Sequence, residues 1–339
     1  MFKNKNILIT GGTGSFGNAF TELLQKKNRP KKIIIYSRDE YKQFLMQNRF
    51  SPHENPNLRF LLGDVRDKDR LTLAMKDVDF VVHAAALKQV PAAEYNPMEY
   101  VKTNIQGAEN VIHASIIQKV KKIIALSTDK AANPINLYGA TKLASDKIFI
   151  AGNNIVGNQN TTFSVVRYGN VLGSRGSVVP MFQELVNNKK KLTVTDKRMT
   201  RFWITLNEGA DFVANSFKRM KGGEIFVPMI PSVRIMDLAK VMSPNKKIQI
   251  IGIRPGEKLH ELMCPNETHD LTFKFKDHFV ILPSLKKYKL DSSFTNAIGE
   301  KSKKVKADFE YSSDKNPHFL TIKDIKKYNR DFFNKNDHQ

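Results

Sequence analysis

Cysteine, tryptophan and long apolar runs are scarce in this 339-residue sequence. The single cysteine, Cys264, excludes an internal disulfide and is typical of a chain kept in a reducing compartment, so we expect the cytoplasm. No apolar run approaches the ~20 residues that cross a bilayer. The stretch at residues 7–9 is also too short for a signal peptide. We therefore expect neither a membrane partner nor a targeting segment.

Acidic side chains are also few, 33 against 55 Lys and Arg, which leaves a net charge of +22. Such an excess can attract nucleic acid, anionic lipid or an anionic substrate. The lysines are scattered and often stand near acids, without a basic stripe interleaved with aromatics. A lysine-rich solvated surface and a field that attracts an anionic substrate both account for the charge, and we expect no nucleic-acid partner. The histidines show no ligand spacing, so no metal site is expected.

The first half alternates short apolar runs with helix-length amphipathic segments. Six runs are predicted as strands: Asn6–Thr10, Lys32–Tyr36, Leu58–Leu62, Phe80–His83, Lys122–Ser127 and Thr162–Arg167. Apolar runs without polar alternation, separated by helices, indicate a parallel sheet covered on both faces. The predicted fold is α/β, a Rossmann-like doubly wound parallel sheet.

Prolines interrupt shorter elements after Leu172, and the regular strand–helix alternation is lost. We expect residues 1–172 to form the dinucleotide-binding domain, with segments that return to its sheet within 203–232. Residues 173–339 are expected to form mostly a smaller α+β substrate-binding domain, interleaved with the first.

The first predicted strand runs directly into Gly-Gly-Thr-Gly-Ser-Phe-Gly. Glycines in this spacing allow a tight turn, let the backbone approach a pyrophosphate and pack a helix against the sheet. The phosphates then lie on amide donors at the N-terminus of that helix. The motif predicts a dinucleotide site with these contact residues: Gly11, Thr13, Gly14, Ser15, Phe16 and Gly17.

The end of the second strand indicates which dinucleotide binds. NAD enzymes place an acid about 20 residues beyond the last glycine to hold the ribose hydroxyls. In this chain Ser37 ends the strand, and Arg38, assisted by Lys42, offers a guanidinium suited to a 2′-phosphate. NADP is favoured, while NAD with Asp39 on the ribose is the alternative. Further cofactor contacts are expected after strands three and four: Asp64, Val65, Ala84 and Ala85.

Tyr138 and Lys142 follow the fifth strand at a spacing that puts both on one face of a helix. A lysine beside a tyrosine favours phenolate and lowers the pKa of the phenol. Tyr138 can then accept a proton from a substrate hydroxyl while hydride leaves for a nicotinamide. The pair therefore predicts an oxidoreductive active site.

The glycine motif, Ser-Thr-Asp-Lys at 127–130 and Tyr-Gly-Ala-Thr-Lys at 138–142 together resemble the extended short-chain dehydrogenase/reductase family. The resemblance continues through 167–171, 173–180, 200–204 and 254–258, so it covers nearly the whole chain. Within that family the chain is similar to the inverting 4,6-dehydratases that act on UDP-N-acetylglucosamine in pseudaminic acid biosynthesis. The resemblance implies a lyase that uses NADP and forms a homo-oligomer, a dimer or a hexamer.

The resemblance also implies roles at the reacting carbons. Tyr138 assists oxidation at carbon 4 and Thr128 binds the resulting ketone. Lys130 removes the proton on carbon 5, and Asp129 protonates the hydroxyl leaving carbon 6, which requires a neutral lysine and a protonated aspartate. Retaining relatives usually carry Thr-Asp-Glu at this strand end. Alternatives are a simple ion pair of Asp129 with Lys130, a nucleotide-sugar 4-epimerase or reductase, and a binding module without catalysis.

The contacts to the nucleotide sugar rest on the same resemblance. Lys88 is expected at the junction of cofactor and substrate, and Ser127 beside the cofactor. The residues expected to bind the UDP moiety are Asn170, the backbone of Val178, Val179 and Pro180, and Arg201, Arg254 and Glu257.

Overall fold

The computed structural model describes residues 1–27, 29–174, 176–244, 247–285 and 292–336. All six strands predicted from the sequence are present, each within one residue of its expected ends: β1 (Asn6–Thr10), β2 (Lys32–Ser37), β3 (Leu58–Leu62), β4 (Phe80–His83), β5 (Lys122–Thr128) and β6 (Thr162–Tyr168). They run parallel in the order β3-β2-β1-β4-β5-β6. This is the doubly wound Rossmann order, so the predicted fold class is confirmed.

Burial on both faces explains why these strands lack polar alternation. Ile7, Leu8 and Ile9 of β1 are consecutive and fully buried, which is possible only where helices cover both sides of the sheet. The helices of this half are α1 (Ser15–Lys27), α2 (Glu40–Arg49), α3 (Lys68–Ala74), α4 (Val90–Tyr95), α5 (Pro97–Tyr100), α6 (Gly107–Ile117) and α7 (Leu137–Gly152). A π-helical segment, Val101–Gln106, joins α5 to α6.

Shorter elements make up the second half. Its strands are β7 (Asn170–Val171), β8 (Thr193–Val194), β9 (Thr200–Ile204), β10 (Ile225–Pro228), β11 (Ser232–Arg234), β12 (Gln249–Ile250), β13 (Leu262–Cys264), β14 (Thr272–Lys274), β15 (His278–Ile281), β16 (Lys303–Lys304) and β17 (Tyr311–Ser312). Its helices are α8 (Val178–Asn187), α9 (Leu206–Arg219), α10 (Ile235–Met242) and α11 (Ile322–Asn336).

The chain returns to the large sheet more extensively than the sequence suggested. β10, which lies within 203–232, pairs in parallel with β6. Beyond it, β15, β14 and β16 extend the sheet in antiparallel pairing, up to residue 304. The expected substrate-binding half therefore also contributes the far edge of the sheet, because apolar runs such as His278–Ile281 are too short to be told from other buried segments by sequence.

A second, smaller apolar core lies apart from the core around the large sheet. Val179 and Phe182 of α8, Trp203 of β9 and Leu238 of α10 are buried within it. This core gives α8 and α10 a rigid base of their own. The cleft described below opens between the two cores.

Phe163 of β6 offers a test of the large core. Its ring is fully buried and lies 6.3 Å from that of Phe149. Phe163→Ala should lower the free energy of unfolding by about 3–5 kcal/mol because it leaves a cavity. Leu73→Ala, at a side chain that is 68% exposed, should change it by less than about 0.5 kcal/mol. Thermal denaturation of both variants measures the difference, and equal shifts in melting temperature would contradict this placement of the core.

Candidate active site

One cleft of about 860 Å³ gathers the carboxyl ends of β1 to β6. Its opposite wall carries Phe182, Met199 and Ile235 from the second core. The position follows the rule that ligands of open parallel sheets bind outside the carboxyl ends of the strands. The volume is that of a site for a large organic ligand.

The cleft brings together all but two of the residues predicted from the sequence. Those that line it are Gly11, Thr13, Gly14, Ser15, Phe16, Gly17, Ser37, Arg38, Asp39, Lys42, Asp64, Val65, Ala84, Ala85, Lys88, Ser127, Thr128, Asp129, Lys130, Tyr138, Lys142, Asn170, Val178, Arg201, Arg254 and Glu257. The side chain of Val179 is buried in the second core instead, and Pro180 does not line the cleft. Successive helical residues point about 100° apart, so the first turn of α8 presents Val178 and Met181 to the cleft but not the two residues between them.

The glycine turn after β1 is in backbone contact with the turn after β4. Gly11 has φ +63°, and a Cβ there would lie 2.8 Å from Cα of Ala85. At Gly17 a Cβ would lie 2.1 Å from the carbonyl oxygen of Gly12. Only glycine satisfies both positions. The resulting cradle at the N-terminus of α1 fits the pyrophosphate of a dinucleotide.

The carboxylate of Asp39 is already engaged within its own helix. It caps α2, with Oδ1 accepting from the backbone N–H of Lys42 at 3.0 Å, and its pKa is lowered chiefly by the hydrogen bond and charge of Lys42. The guanidinium of Arg38 is about half exposed on the same rim, with Nη1 3.6 Å from Oδ2 of Asp64. This arrangement suits a phosphate on the ribose better than bare ribose hydroxyls.

Tyr138 lies in the first turn of α7, which Asn136 caps by accepting from the N–H of Gly139 at 2.8 Å. Burial raises the pKa of Tyr138 to about 12, opposed by the charge of Lys130 and by a hydrogen bond with Thr128. The expected cation was Lys142. Its ammonium instead donates to the carbonyl oxygen of Leu126 at 2.7 Å, and burial lowers its pKa. The cation that chiefly favours phenolate is therefore Lys130.

Lys130 lies between two buried carboxylates. Its Nζ is 3.1 Å from Oδ1 of Asp129 and 3.0 Å from Oε1 of Glu261. Burial by itself would lower the pKa of Lys130, but the two carboxylates together raise it above its ordinary value. This geometry accommodates an ion pair of Lys130 with either carboxyl group. Lys130 becomes a base only if it passes a proton to one of these neighbours.

Thr128 ties this cluster to the end of β5. Its hydroxyl donates to Oδ1 of Asp129 at 2.9 Å and accepts from the backbone N–H of Lys130 at 3.3 Å. Lys88 also lines this cleft, and burial together with the charge of Lys130 lowers the pKa of Lys88. Thr128, Asp129 and Lys130 thus form one connected polar group.

The guanidinium of Arg201 is more enclosed than that of an arginine left free to bind a phosphate. Its guanidinium donates to the carbonyl oxygens of Thr200, Lys258 and Leu259 at 2.7, 2.9 and 3.0 Å. It also lies 3.7 Å from the carboxylate of Glu257. Arg201 therefore braces the segment at 257–261, and a diphosphate would have to share its guanidinium with these carbonyl oxygens.

Two contributors were missed by reasoning from the sequence. Glu261 follows Glu257 by four residues, and this second acid close to a predicted site residue was the signal in the sequence that could have identified it. Asn104, in the π-helical segment, accepts from the N–H of Leu87 at 2.9 Å and donates to Oγ1 of Thr141 at 3.0 Å. It thereby holds the loop that carries Lys88 against the catalytic helix. Arg175, part of the resembling stretch 173–180, lies outside the described residues.

The described part of the chain contains no helix long and apolar enough to cross a membrane. Within the same ranges, no group of three or more His, Cys, Asp or Glu side chains is placed to hold a metal ion. His83 is buried and bonded to Oγ1 of Thr10 at 2.8 Å. Burial lowers the pKa of His83 to about 3, so it is a neutral core residue.

Comparisons with known proteins agree with this site. The sequence pattern of a family described as polysaccharide biosynthesis proteins matches residues 7–283. The chain belongs to this family. It is 59% identical over 327 residues to the UDP-N-acetylglucosamine 4,6-dehydratase (inverting) of Campylobacter jejuni, which covers 96% of this chain and 97% of the relative.

Two further proteins are similar to this chain, one in sequence and one in structure. A UDP-glucose 4-epimerase of Rickettsia bellii is 46% identical over 274 residues, 79% of this chain and 80% of the relative. The solved structure of Pen from Bacillus thuringiensis superposes with a TM-score of 0.87 at 39% identity, covering 98% of this chain and 99% of that one. Further solved structures that share this fold include dehydratases and epimerases of nucleotide sugars.

Gly17→Ala tests the cradle. The new methyl group would displace the turn at Gly12, so the affinity for the dinucleotide should fall roughly tenfold or more. Gly209→Ala is the matched control, because a Cβ there meets nothing closer than 4.0 Å, and it should leave affinity unchanged. Fluorescence titration with the dinucleotide measures both. Wild-type affinity in the Gly17 variant would contradict the placement of the pyrophosphate.

Proposed function

We propose that this chain is a lyase that removes water from UDP-N-acetylglucosamine with inversion at carbon 5. The product is UDP-2-acetamido-2,6-dideoxy-β-L-arabino-hex-4-ulose. One observation carries the proposal: the carboxyl group of Asp129 and the amine of Lys130 are in contact and lie in the same cleft as the phenol of Tyr138. Identity of 59% over nearly the full length of an inverting dehydratase supports it.

The chemistry divides among the side chains as follows. Tyr138 takes the proton of the hydroxyl on carbon 4, and Thr128 donates a hydrogen bond to the ketone that results. A bound nicotinamide would supply the hydride chemistry, removing a hydride from carbon 4 and returning it to carbon 6. A proton from solvent would be added to carbon 5 in that last step, and the proton held by Tyr138 would be released to solvent, so the protons balance. The ketone acidifies the proton on carbon 5, which Lys130 removes. Asp129 protonates the hydroxyl that leaves carbon 6.

The fit of the dinucleotide rests on the glycine cradle, and we propose NADP as its identity. Arg38 and Lys42 would hold the 2′-phosphate, since Asp39 is engaged as a helix cap. The adenosine contacts would come from Asp64 and Val65. Ala84, Ala85, Ser127, Lys88 and Lys142 would lie along the nicotinamide half.

The nucleotide sugar would bind against the second core. Asn170, Arg201 and Arg254 would contact the uridine diphosphate, as would the backbone of residues 178–180, and Glu257 would accept hydrogen bonds from a ribose. We further propose that residues 173–339 supply most of this side. The chain would act in the cytoplasm as a homo-oligomer, a dimer or a hexamer, in the first step of pseudaminic acid biosynthesis.

The second candidate is a nucleotide-sugar 4-epimerase, favoured by the similarity to the Rickettsia protein. An epimerase needs Tyr138 and the dinucleotide but no acid–base pair for carbons 5 and 6. Contact between Asp129 and Lys130 at the mouth of the oxidising site therefore favours the dehydratase.

A proton NMR time course with UDP-N-acetylglucosamine in deuterated water tests the function. We expect a new 6-methyl signal, deuterium at carbon 5 and couplings of the inverted sugar. Equilibration with the 4-epimer without a methyl signal would establish the epimerase instead. In the same assay, Lys130→Met should lower turnover at least roughly 100-fold while binding persists, because it removes the base. The exposed Lys147→Met should leave turnover unchanged, and full turnover by the Lys130 variant would refute its role.

Arg38→Ala tests the choice of dinucleotide. Loss of a charged hydrogen bond to the 2′-phosphate should weaken NADP binding roughly 10- to 100-fold and leave NAD binding nearly unchanged. Arg59→Ala, on β3 away from the cleft, is the control. Calorimetric titration of both variants with NADP and with NAD gives the four dissociation constants. Equal losses for NADP and NAD would show that Arg38 does not contact the phosphate.

A further inference from the structure

Glu261 is a buried acid that the steps above do not use. Its side chain is only 2% exposed, and Oε1 lies 3.0 Å from Nζ of Lys130. Its other oxygen, Oε2, has no hydrogen-bond partner among the described residues. An unpartnered buried oxygen next to a reactive lysine is costly for stability, which indicates a role beyond packing.

The backbone holds Glu261 firmly in this place. Its N–H donates to Oγ of Ser313 at 2.9 Å, and its carbonyl oxygen accepts from the N–H of Ser313 at 2.8 Å. Oγ of Ser313 in turn lies 2.7 Å from Oγ1 of Thr200. Arg201 approaches the carboxylate itself, with Nε 3.7 Å from Oε1. Three separate segments therefore position this one acid.

Two carboxyl groups lie next to the ammonium of Lys130. Asp129 lies on its own turn, and Glu261 comes from the segment before β13. The remaining charged or titratable side chains that face Lys130 are Arg201, Lys88, Lys258 and Tyr138. A lysine with a single carboxylate neighbour would pair with it fully. Asp129 would then be held ionised and could not protonate a leaving group.

We propose that Glu261 is a positioning residue of the reaction, which serves as counterion and proton acceptor of Lys130 and so leaves Asp129 able to carry a proton. This role rests on the proposed dehydratase function. Oε2 of Glu261 and Oδ2 of Asp129 are both without partners in the described chain, so each carboxyl group has an oxygen on which a proton can reside. Lys130 touches both groups and can exchange protons with either.

The protons balance within the three groups. At the start Lys130 is an ammonium, Glu261 is ionised and Asp129 is protonated. Lys130 passes a proton to Glu261 and, now neutral, takes the proton from carbon 5. The electrons of that C–H bond form the bond between carbons 5 and 6 as the C–O bond breaks, and the departing oxygen leaves as water with the proton of Asp129. Transfer from Glu261 through Lys130 to Asp129 restores the start.

Glu261→Gln tests the proposal, because it keeps the shape and removes the charge. We expect kcat to fall roughly 10- to 100-fold with an unchanged KM. Nicotinamide absorbance should still rise on addition of UDP-N-acetylglucosamine, since oxidation at carbon 4 does not need Glu261. Lys130 should bind its proton less tightly without the nearby negative charge of Glu261, so the pH profile of kcat should move to lower pH. Glu261→Asp should return the profile toward that of the wild type.

Glu257→Gln is the matched control, since Glu257 also lies 3.7 Å from Arg201 but does not contact Lys130 in the described structure. It should raise KM and leave the pH profile in place. Wild-type kcat and pH profile in Glu261→Gln, or a change in KM alone, would overturn the proposal. A thermal melt establishes whether Glu261→Gln is folded. If it is not, the same kcat, KM and pH measurements on Glu261→Asp supply the test. Absence of a 6-methyl product from the wild type would instead refute the proposed function itself.

Discussion

The ammonium of Lys130, shared by two buried carboxylates, couples the two halves of the chain. Asp129 belongs to the dinucleotide-binding half, whereas Glu261 arrives from the segment before β13 and is braced by Arg201 of β9. A buried charge is tolerable only when its partners are held at the right distance. The packing of the second core against the sheet is therefore a condition for the acid–base chemistry, and the cleft cannot be assembled by the Rossmann half alone.

The oxidising end of the cleft depends on contacts of a different kind. Gly11 and Gly17 let three backbone segments meet closer than any side chain would allow. Hydrogen bonds then fix the neighbouring loops: Thr10 accepts from the N–H groups of Ala84 and Ala85, and Asn104 ties the following loop to α7. These contacts involve no ionisable side chain, so they do not change with pH. The site thus combines a rigid neutral cradle with a small cluster whose protons can move.

The large positive charge of the chain is consistent with this division. Much of it is on exposed lysines such as Lys26 and Lys27, which pair with surface acids and contribute little to stability. Inside the cleft, Arg38, Lys88 and Arg254 add cations near the positions that we propose for the phosphates of a dinucleotide and a nucleotide sugar.

Local patterns in the sequence determined the six parallel strands, the glycine cradle and the helix that carries Tyr138 and Lys142. Each of these depends on neighbours within one turn or one strand, and periodicity and glycine spacing report such neighbours directly. The tertiary structure alone decided the rest: the return of β14 to β16 to the sheet, the burial of Val179, the use of Arg201 as a brace and the arrival of Glu261 beside Lys130. Glu261 and Lys130 are separated by over a hundred residues, and no local rule specifies which buried carboxylate a buried lysine meets. That choice follows from how the two cores pack, because packing sets the distances on which Coulomb interactions and proton transfer depend.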